Sequence, residues 1–332
     1  MWTLDELEPE IDDIRLRILQ HRRDLKEYFV GRDVEIDLTI LCAAAQEPLL
    51  LVGPPGTAKS DLVVKFAESL GLGTNEYFEY MLTKFTEPSE ILGPIDIELL
   101  KQGRYIRRVN GMLPTARVAF LDEIFKSNSA ILNTLLTILN ERKFYQDGRP
   151  ERVRLLMLFA ATNEIPEQSE LEAMADRFVL KVETLPVKDT HFGDLIDAGM
   201  LNEAYKATGQ KPWARGSASL EDFLKFKRFM DLSFAMHAEP GADRAHWFPR
   251  PVFAEMRRIV RTLETEDRVF VSDRKLVKVY KLLRFRAFLE HGGAVETPDL
   301  ELLSYTGNRR DELAVVGGKV RALLGLGDRR SA

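Results

Sequence analysis

Cysteine is almost absent from this chain of 332 residues, because Cys42 is its only one. A single cysteine cannot form an internal disulfide, so the sequence does not belong to the class of disulfide-stabilised secreted domains. Its acidic start also lacks the basic region and apolar core of a secretory signal. We therefore expect a cytoplasmic protein.

Long apolar runs and an excess of positive charge are missing as well. The longest apolar stretches, such as residues 155–162, fall far short of the roughly 20 residues that a helix needs to span a bilayer, so we expect no membrane span. Acidic residues number 52 and basic residues 47, which gives a net charge of −5. This balance argues against a dedicated nucleic-acid binder.

Histidine is scarce and scattered. The five histidines show none of the spacings typical of a zinc site, and we expect them to be exposed or singly hydrogen-bonded. They are His21, His191, His237, His246 and His291. We predict no transition metal.

The periodicity of apolar residues predicts three parts. Apolar residues recur at helical intervals from Leu4 to Glu27, which indicates one amphipathic helix within residues 1–28. Over residues 29–186, short apolar runs alternate with helical segments, as is typical of an α/β domain whose parallel sheet is buried on both faces. Only helical periodicity follows, which predicts an all-helical domain over residues 187–332.

Two insertions interrupt the α/β pattern, and both are predicted to be hairpins. The first, residues 86–114, has Gly103 between two strand-capable pieces. The second, residues 142–155, has Asp147-Gly148 between strand-like arms, a pair that favours a two-residue turn. Pro150 restricts its strand to an edge.

The stretch LLLVGPPGTAKSDL, residues 49–62, has the order strand, glycine-rich loop, helix that a phosphate-binding loop requires. Backbone N–H groups would face the phosphates, Lys59 would neutralise their charge, and Ser60 would bind magnesium. Ala58 stands where a glycine is expected, and its methyl group lies where the backbone must approach the phosphates closely. Taken alone, the stretch could also be a tight strand-to-helix turn.

Polar residues follow two further predicted strands. VAFLDEI brings Asp122 and Glu123 to the carboxyl end of a buried strand, where ligands bind in such sheets. Asp122 would hold magnesium, directly or through water, and Glu123 would polarise the attacking water. AATNE places Asn163 at the same edge, where its amide could orient that water and contact the terminal phosphate. The alternatives are a helix start for the two acids and a turn for the asparagine.

In combination, GPPGTAKS, VAFLDEIFKSNSAILNTLLTILNER, AATNE and MADRF resemble the MoxR family of AAA+ ATPases. Residues 78–108 are similar to the RavA branch of that family. The resemblance covers most of the chain from about Phe29. It implies an AAA+ P-loop NTPase core with a parallel sheet flanked by helices, two hairpin inserts and an all-α C-terminal lid. The implied cofactors are ATP or ADP and Mg²⁺.

The resemblance assigns roles to two arginines. Arg177 matches the arginine finger of the family, which would reach the nucleotide site of a neighbouring subunit. The alternative is a surface arginine paired with Asp176 or Glu172. Arg274 matches a phosphate sensor, and it follows Ser272, which can cap the helix that begins there.

The complete candidate site combines these residues with the glycine-rich loop and with FVGRD, a segment that matches the one packing on adenine in related proteins. The predicted nucleotide-binding residues are Val30, Gly31, Gly53, Pro54, Pro55, Gly56, Thr57, Ala58, Lys59, Ser60 and Asp61. The predicted catalytic residues are Glu123, Asn163, Arg177 and Arg274, and the predicted metal ligands are Ser60 and Asp122.

The resemblance implies an oligomeric ring, usually of six subunits, that hydrolyses ATP to remodel or activate a partner protein. Members usually work with a protein that contains a von Willebrand factor A domain, which recruits the client. Two alternatives stay open: a nucleic-acid motor, and a nucleotide-dependent assembly switch with little turnover. The basic first insert around Tyr105 could grip a polymer or could simply be solvated. The acidic net charge argues against the motor, and the intact Glu123, Asn163 and Arg177 argue against the switch.

Overall fold

The computed structural model describes residues 2–73, 75–165, 169–236 and 244–327. Five of the seven strands in this part of the chain form a central sheet. The strands are β1 Leu49–Val52, β2 Tyr77–Met81, β3 Val118–Asp122, β4 Lys143–Gln146, β5 Arg149–Arg152, β6 Met157–Thr162 and β7 Leu180–Glu183. The sheet has the order β2-β3-β6-β1-β7, and every pairing in it is parallel. Strands β4 and β5 pair only with each other and are antiparallel. The predicted α/β fold with a parallel sheet is confirmed.

Helices surround this sheet on both sides. They are α1 Leu4–Leu7, α2 Ile11–Lys26, α3 Asp33–Ala45, α4 Lys59–Ser69, α5 Pro88–Leu92, α6 Ile97–Lys101, α7 Ser129–Glu141, α8 Ser169–Ala175, α9 Phe192–Thr208, α10 Leu220–Met236, α11 Arg250–Thr265, α12 Asp273–His291 and α13 Arg310–Leu323. Short 3-10 helices cover Ile124–Lys126, Pro212–Ala214, Arg244–His246 and Thr297–Tyr305. Past β7 the described residues are helical or irregular, as predicted for the C-terminal part.

The sheet separates two apolar cores, because successive side chains of a strand point to opposite faces. In β1, Leu49 and Leu51 belong to one core, and Leu50 and Val52 belong to the other. The first core also contains apolar side chains of α2, α3, α10 and α12, so the N-terminal and C-terminal helices share it. Burial on both faces explains why these strands are continuous apolar runs. The division at residues 28 and 186 stays a prediction.

The predicted single N-terminal helix is wrong in one respect: it is interrupted. Helix α1 ends at Leu7 and α2 begins at Ile11, with a turn between them. Pro9 lies in that turn, and it has no N–H to donate, so the backbone hydrogen bond that would continue α1 is missing there. The apolar periodicity continues across the turn because Leu7, Ile11 and Ile14 are all buried.

The second insert is the predicted hairpin, and the first departs from its prediction. Asp147 and Gly148 form the β4–β5 turn, both with positive φ, at 49° and 71°. In the first insert the arms meet at one antiparallel bridge, between Ile95 and Arg107, and the tip between them is helix α6 instead of strand. Asp96 explains the helix, because its carboxylate accepts from the N–H groups of Glu98 and Leu99 and so caps the N-terminus.

The two inserts contact each other through the β4–β5 turn. The N–H of Asp147 donates to the carbonyl of Tyr105 at 2.9 Å, and the N–H of Tyr105 donates to the Asp147 carboxylate at 3.0 Å. Gln146 accepts from the N–H of Arg107 at 2.7 Å. The backbone of the first insert is therefore tied to the second, while the side chains of Arg104, Tyr105 and Arg108 remain exposed.

In the described part of the chain, no helix is long and apolar enough to cross a bilayer. The same residues contain no cluster of three or more histidine, cysteine or acidic side chains that could hold a metal. His237 lies outside the described residues.

His21 differs from its prediction because it is buried and doubly hydrogen-bonded. Its Nε2 lies 3.0 Å from Ser69 Oγ, which itself donates to the Phe66 carbonyl. Its Nδ1 accepts from the N–H of Ala218 at 3.3 Å. This pattern fits a neutral ring that donates through Nε2. Burial lowers the pKa of His21 to about 4.

His21 should make the protein less stable in acid. An unfolded chain takes up a proton at this histidine below about pH 6.5, and the folded chain does not until about pH 4. The free energy of unfolding should therefore fall as the pH drops through this window, by about 3 kcal/mol from this group. Urea unfolding at several pH values should show a shallower fall for His21→Gln. His191→Gln, at a more exposed histidine, is the control, and equal slopes for the wild type and His21→Gln would contradict the assignment.

Candidate functional site

The glycine-rich loop begins at Gly53, directly after β1, where the backbone lies close to Thr184. A Cβ atom placed on Gly53 would lie 2.2 Å from the carbonyl oxygen of Thr184, so this position requires glycine. Gly56 has a φ of +78°, a left-handed conformation in which a side chain is strained, and a Cβ there would meet no atom of the described residues within 4 Å. The loop then enters α4 at Lys59, so the unpaired N–H groups of the first turn face it.

Ala58 is the N-cap of α4, with φ 63° and ψ 20°. This left-handed conformation explains why glycine is expected at the position. An L-residue other than glycine pays about 1–2 kcal/mol to adopt it. The alanine thus keeps the backbone path of the loop at a cost in strain.

Lys59 lies at the end of the loop, near the two acidic residues at the end of β3. Its ammonium donates to the carbonyls of Gly53 at 2.7 Å and Pro54 at 2.8 Å. Burial lowers the pKa of Lys59, and the nearby charges of Asp122 and Glu123 oppose that effect. The sheet therefore brings the predicted loop cation and both predicted acids into one site.

Glu123 is held through one of its two carboxylate oxygens. Its Oε1 accepts from Asn163 Nδ2 at 2.5 Å and from Lys126 Nζ at 2.9 Å. Its Oε2 is buried and has no hydrogen-bond partner among the described residues. A buried carboxylate oxygen without a hydrogen-bond partner is energetically costly.

Lys126 is a contact that the sequence interpretation missed. The signal was present, because a lysine three residues after Glu123 lies one short turn away on the 3-10 helix that follows β3. Asp122, one of the two predicted metal ligands, accepts from the N–H of Glu123 at 2.8 Å through Oδ1. Ser60, the other, is the second residue of α4. A hydroxyl and a carboxylate are suitable oxygen ligands for Mg²⁺, which keeps several waters and binds substrate phosphates.

A cavity of about 270 Å³ adjoins the loop and extends away from the acids. Its lining comprises residues 28–30 and Arg32, the loop residues 56–58, Asp61, residues 186–188, and Leu195, Ala198, Gly199 and Asn202 of α9. Val30 lines it as predicted. Gly31 lies beside it with φ +62°, and a Cβ there would approach Val187 to 2.9 Å. The contribution of α9 was not predicted, because nothing in its sequence points to this loop.

The two predicted arginines lie on a different side of the domain. Arg177 precedes β7, so it lies at the amino end of a strand whose carboxyl end meets the glycine-rich loop. Its side chain is 15% exposed, its Nη1 lies 3.6 Å from the Asp176 carboxylate, and its Nε has no partner among the described residues. Ser272 donates to Asp176 at 3.0 Å and accepts from the N–H of Lys275 as the N-cap of α12. This contact places the start of α12, with the exposed Arg274, near Arg177 and away from Lys59.

The strain at Ala58 can be measured by replacing it with glycine. Ala58→Gly should raise the free energy of unfolding by up to about 1 kcal/mol, since relief of left-handed strain exceeds the added entropy of the unfolded chain. Ala254→Gly, an exposed position inside α11, is the matched control and should lower it by about 1 kcal/mol. Denaturant unfolding measures both. A loss of stability in Ala58→Gly would show that the loop does not strain the alanine.

Comparisons with known proteins agree with this geometry. Residues 16–221 match the family described as "MoxR domain in the MoxR-vWA-beta-propeller ternary systems", and residues 251–316 match the AAA lid domain. The chain is 32% identical over 296 residues to an uncharacterized protein of Methanocaldococcus jannaschii. The aligned region covers 89% of this chain and 71% of that protein. It is 25% identical over 219 residues to chaperone MoxR1 of Mycobacterium tuberculosis, covering 65% and 54% of the two chains.

A crystal structure from Cytophaga hutchinsonii, described as that of a candidate ATPase, has a similar fold. The TM-score is 0.70 at 16% identity, with 98% of each chain covered. This likeness concerns the fold alone. None of these comparisons names the RavA branch, so the likeness to that branch stays a prediction. The family matches and the sheet geometry together show that the chain belongs to the MoxR family of AAA+ ATPases.

Proposed function

We propose that this protein hydrolyses ATP with Mg²⁺ in a ring-shaped assembly and uses the energy to remodel or activate a partner protein. The observation that carries the proposal is the arrangement of contacts around the Glu123 carboxylate. One of its oxygens is held by Asn163 and Lys126, and the other is buried without a partner among the described residues, beside the loop that carries Lys59. A site of this kind fits a reaction in which a water must lose a proton.

The roles of the residues follow from their places. Lys59 and the N–H groups of α4 hold the phosphates, and Ser60 and Asp122 hold the metal. A bound Mg²⁺ would supply positive charge to neutralise the charge that develops on the phosphate oxygens. Glu123 takes a proton from the attacking water through Oε2, while Asn163 keeps Oε1 in place. The water oxygen bonds to the terminal phosphorus as the bond from that phosphorus to its bridging oxygen breaks. ADP leaves with the bridging oxygen, inorganic phosphate leaves with the water oxygen, and the proton on Glu123 passes to solvent.

A ring would bring positive charge from a neighbouring subunit to this site. Arg177 and Arg274 lie away from the loop of their own chain, so we propose that they serve the site of a neighbouring subunit. The contacts of the Arg177 side chain support this. Its distance of 3.6 Å to the Asp176 carboxylate is long for an ion pair, and its Nε has no hydrogen-bond partner in the described structure. Six subunits would be usual for the family.

The partner is proposed to contain a von Willebrand factor A domain. Support comes from the description of the matched family, which names MoxR, vWA and β-propeller components of ternary systems. A nucleic-acid motor is the main alternative, and the exposed basic residues of the first insert are the feature that favours it. An assembly switch with little turnover is a third.

Glu123→Gln separates binding from hydrolysis. The variant should bind ATP as the wild type does and hydrolyse it about 10² to 10⁴ times more slowly, because an amide cannot take the proton from water. Lys59→Ala should lose binding itself. Glu98→Gln, at an exposed carboxylate of α6, is the matched control. Calorimetric binding and phosphate release measure the two steps, and equal loss of both in Glu123→Gln would remove the proton-accepting role.

Arg177→Ala tests action between subunits. The variant should bind ATP but turn it over about 10³ times more slowly, since the arginine stabilises charge that develops only in the transition state. Mixed with Glu123→Gln subunits it should recover part of the rate, because some interfaces then combine an intact glutamate with an intact arginine. Arg257→Ala, at an exposed arginine of α11, is the control for the loss of charge. Absence of rescue in the mixture would contradict a finger that acts on a neighbour.

A further inference from the structure

Helix α9 is attached to the rest of the protein in an unusual way. It has 17 residues, and none of them is buried. Apolar side chains such as Phe192, Ile196 and Met200 are more than half exposed. Yet Leu195, Ala198, Gly199 and Asn202 line the cavity beside the glycine-rich loop. The helix therefore covers one wall of the cavity without being part of a core.

A buried lysine joins α9 to the helix that follows the loop. The side chain of Lys65, in α4, is only 3% exposed. Its ammonium donates to Asp61 at 2.7 Å and to Oδ1 of Asn202 at 3.1 Å. It also lies 4.9 Å from the ring centroid of Phe29 and 4.7 Å from that of Trp213, within the range of cation–π attraction. Four neighbours thus fix the position of this cation.

The contact with Lys65 determines which way the amide of Asn202 faces. A lysine ammonium has three donors and no acceptor, so the atom of Asn202 that it meets must be the oxygen. The Nδ2 group is then the free end of the amide. In the described ranges it has no hydrogen-bond partner, and Asn202 lines the cavity. Asn202 therefore supplies a hydrogen-bond donor, Nδ2, at a fixed position in the cavity wall.

The other walls of the cavity suit a planar ring. Phe29, Val30, Val187 and Leu195 are apolar, and residues 56–58 of the loop close the end that faces the phosphates. Three charged residues, Arg32, Asp61 and Lys188, also line the cavity. A mainly apolar site with a small number of placed polar groups is the usual form of a site that recognises a small ring system. Adenine has ring nitrogens that accept hydrogen bonds and no carbonyl group.

We propose that Asn202 contacts the base of the bound nucleotide, donating through Nδ2 to N1 of adenine, a position that carries a proton in guanine, and that Lys65 is a positioning residue that fixes this amide. The inference rests on the proposed binding of ATP. It makes α9 a selectivity element of the pocket, and it explains why a helix without a core is tied to α4 by a buried cation.

Asn202→Asp is the sharpest test, because it keeps an oxygen for Lys65 and replaces the donor by a second oxygen. Calorimetry would compare the binding of ATP, GTP and tripolyphosphate, each with Mg²⁺, to the full chain. The variant should bind ATP about tenfold or more weakly, bind tripolyphosphate as the wild type does, and lose the preference for ATP over GTP, because its carboxylate can accept from the N1–H of guanine. Glu203→Gln, the adjacent exposed position of α9, is the matched control and should behave as the wild type.

Lys65→Met tests the positioning role. Methionine retains a long side chain against Phe29 and Trp213 but releases the oxygen of Asn202, so the amide can rotate. The preference for ATP over GTP should fall while tripolyphosphate binding is unchanged, and Lys65→Arg, which can still donate to Asn202, should restore the preference.

The outcomes separate this inference from the function on which it rests. Unchanged ATP binding in Asn202→Asp would overturn the inference and leave the ATPase intact. Equal weakening of ATP and GTP would place the contact at the ribose and would also overturn it. Weakened tripolyphosphate binding would mean that the change acts on the phosphate loop. A wild-type protein that binds no nucleotide would refute the proposed function, and the inference with it.

Discussion

The position of β6 between β1 and β3 is the constraint on which the site depends. Val52 of β1 pairs with Thr162 of β6, and Gly53 extends this ladder by donating to the Thr162 carbonyl at 3.0 Å. On its other side β6 pairs with β3 up to Leu121. The strands are parallel, so the loop, the acids and Asn163 leave the sheet at one edge within a few residues of one another. The hydrogen bond from Asn163 to Glu123 follows from the parallel pairing of β3 with β6.

Backbone strain accompanies this arrangement. Ala58 and Glu123 have φ values of 63° and 53°, and both lie in the site. Each such residue costs about 1–2 kcal/mol, which the surrounding structure must offset. The offset is visible in the two apolar cores, which bury both faces of the sheet immediately behind these residues. The sheet thus keeps three energetically costly features in position: the strained Ala58, the strained Glu123, and the buried Glu123 Oε2, which has no partner among the described residues.

Much of this could be predicted from local patterns. Continuous apolar runs predicted the buried parallel strands, and Asp147-Gly148 predicted the second hairpin, because each signal lies within a few residues. The break at Pro9 and the helix after Asp96 also have local causes, and the predictions there went wrong by favouring apolar pattern over proline and capping chemistry. The pairing of Lys65 with Asn202 spans 137 residues and has no local signal. The two partners of His21, Ser69 and Ala218, lie 48 and 197 residues away and likewise have no local signal.

The central claim is that hydrolysis occurs at a site shared between subunits and serves a protein partner. The most direct test is the ATPase rate per subunit against protein concentration, with Mg²⁺ present and with single-stranded DNA added in parallel. The account predicts a rate that rises steeply with concentration, as subunits supply arginines to one another, and that does not respond to DNA. A rate per subunit that is constant with dilution and stimulated by DNA would contradict it and would indicate a nucleic-acid motor.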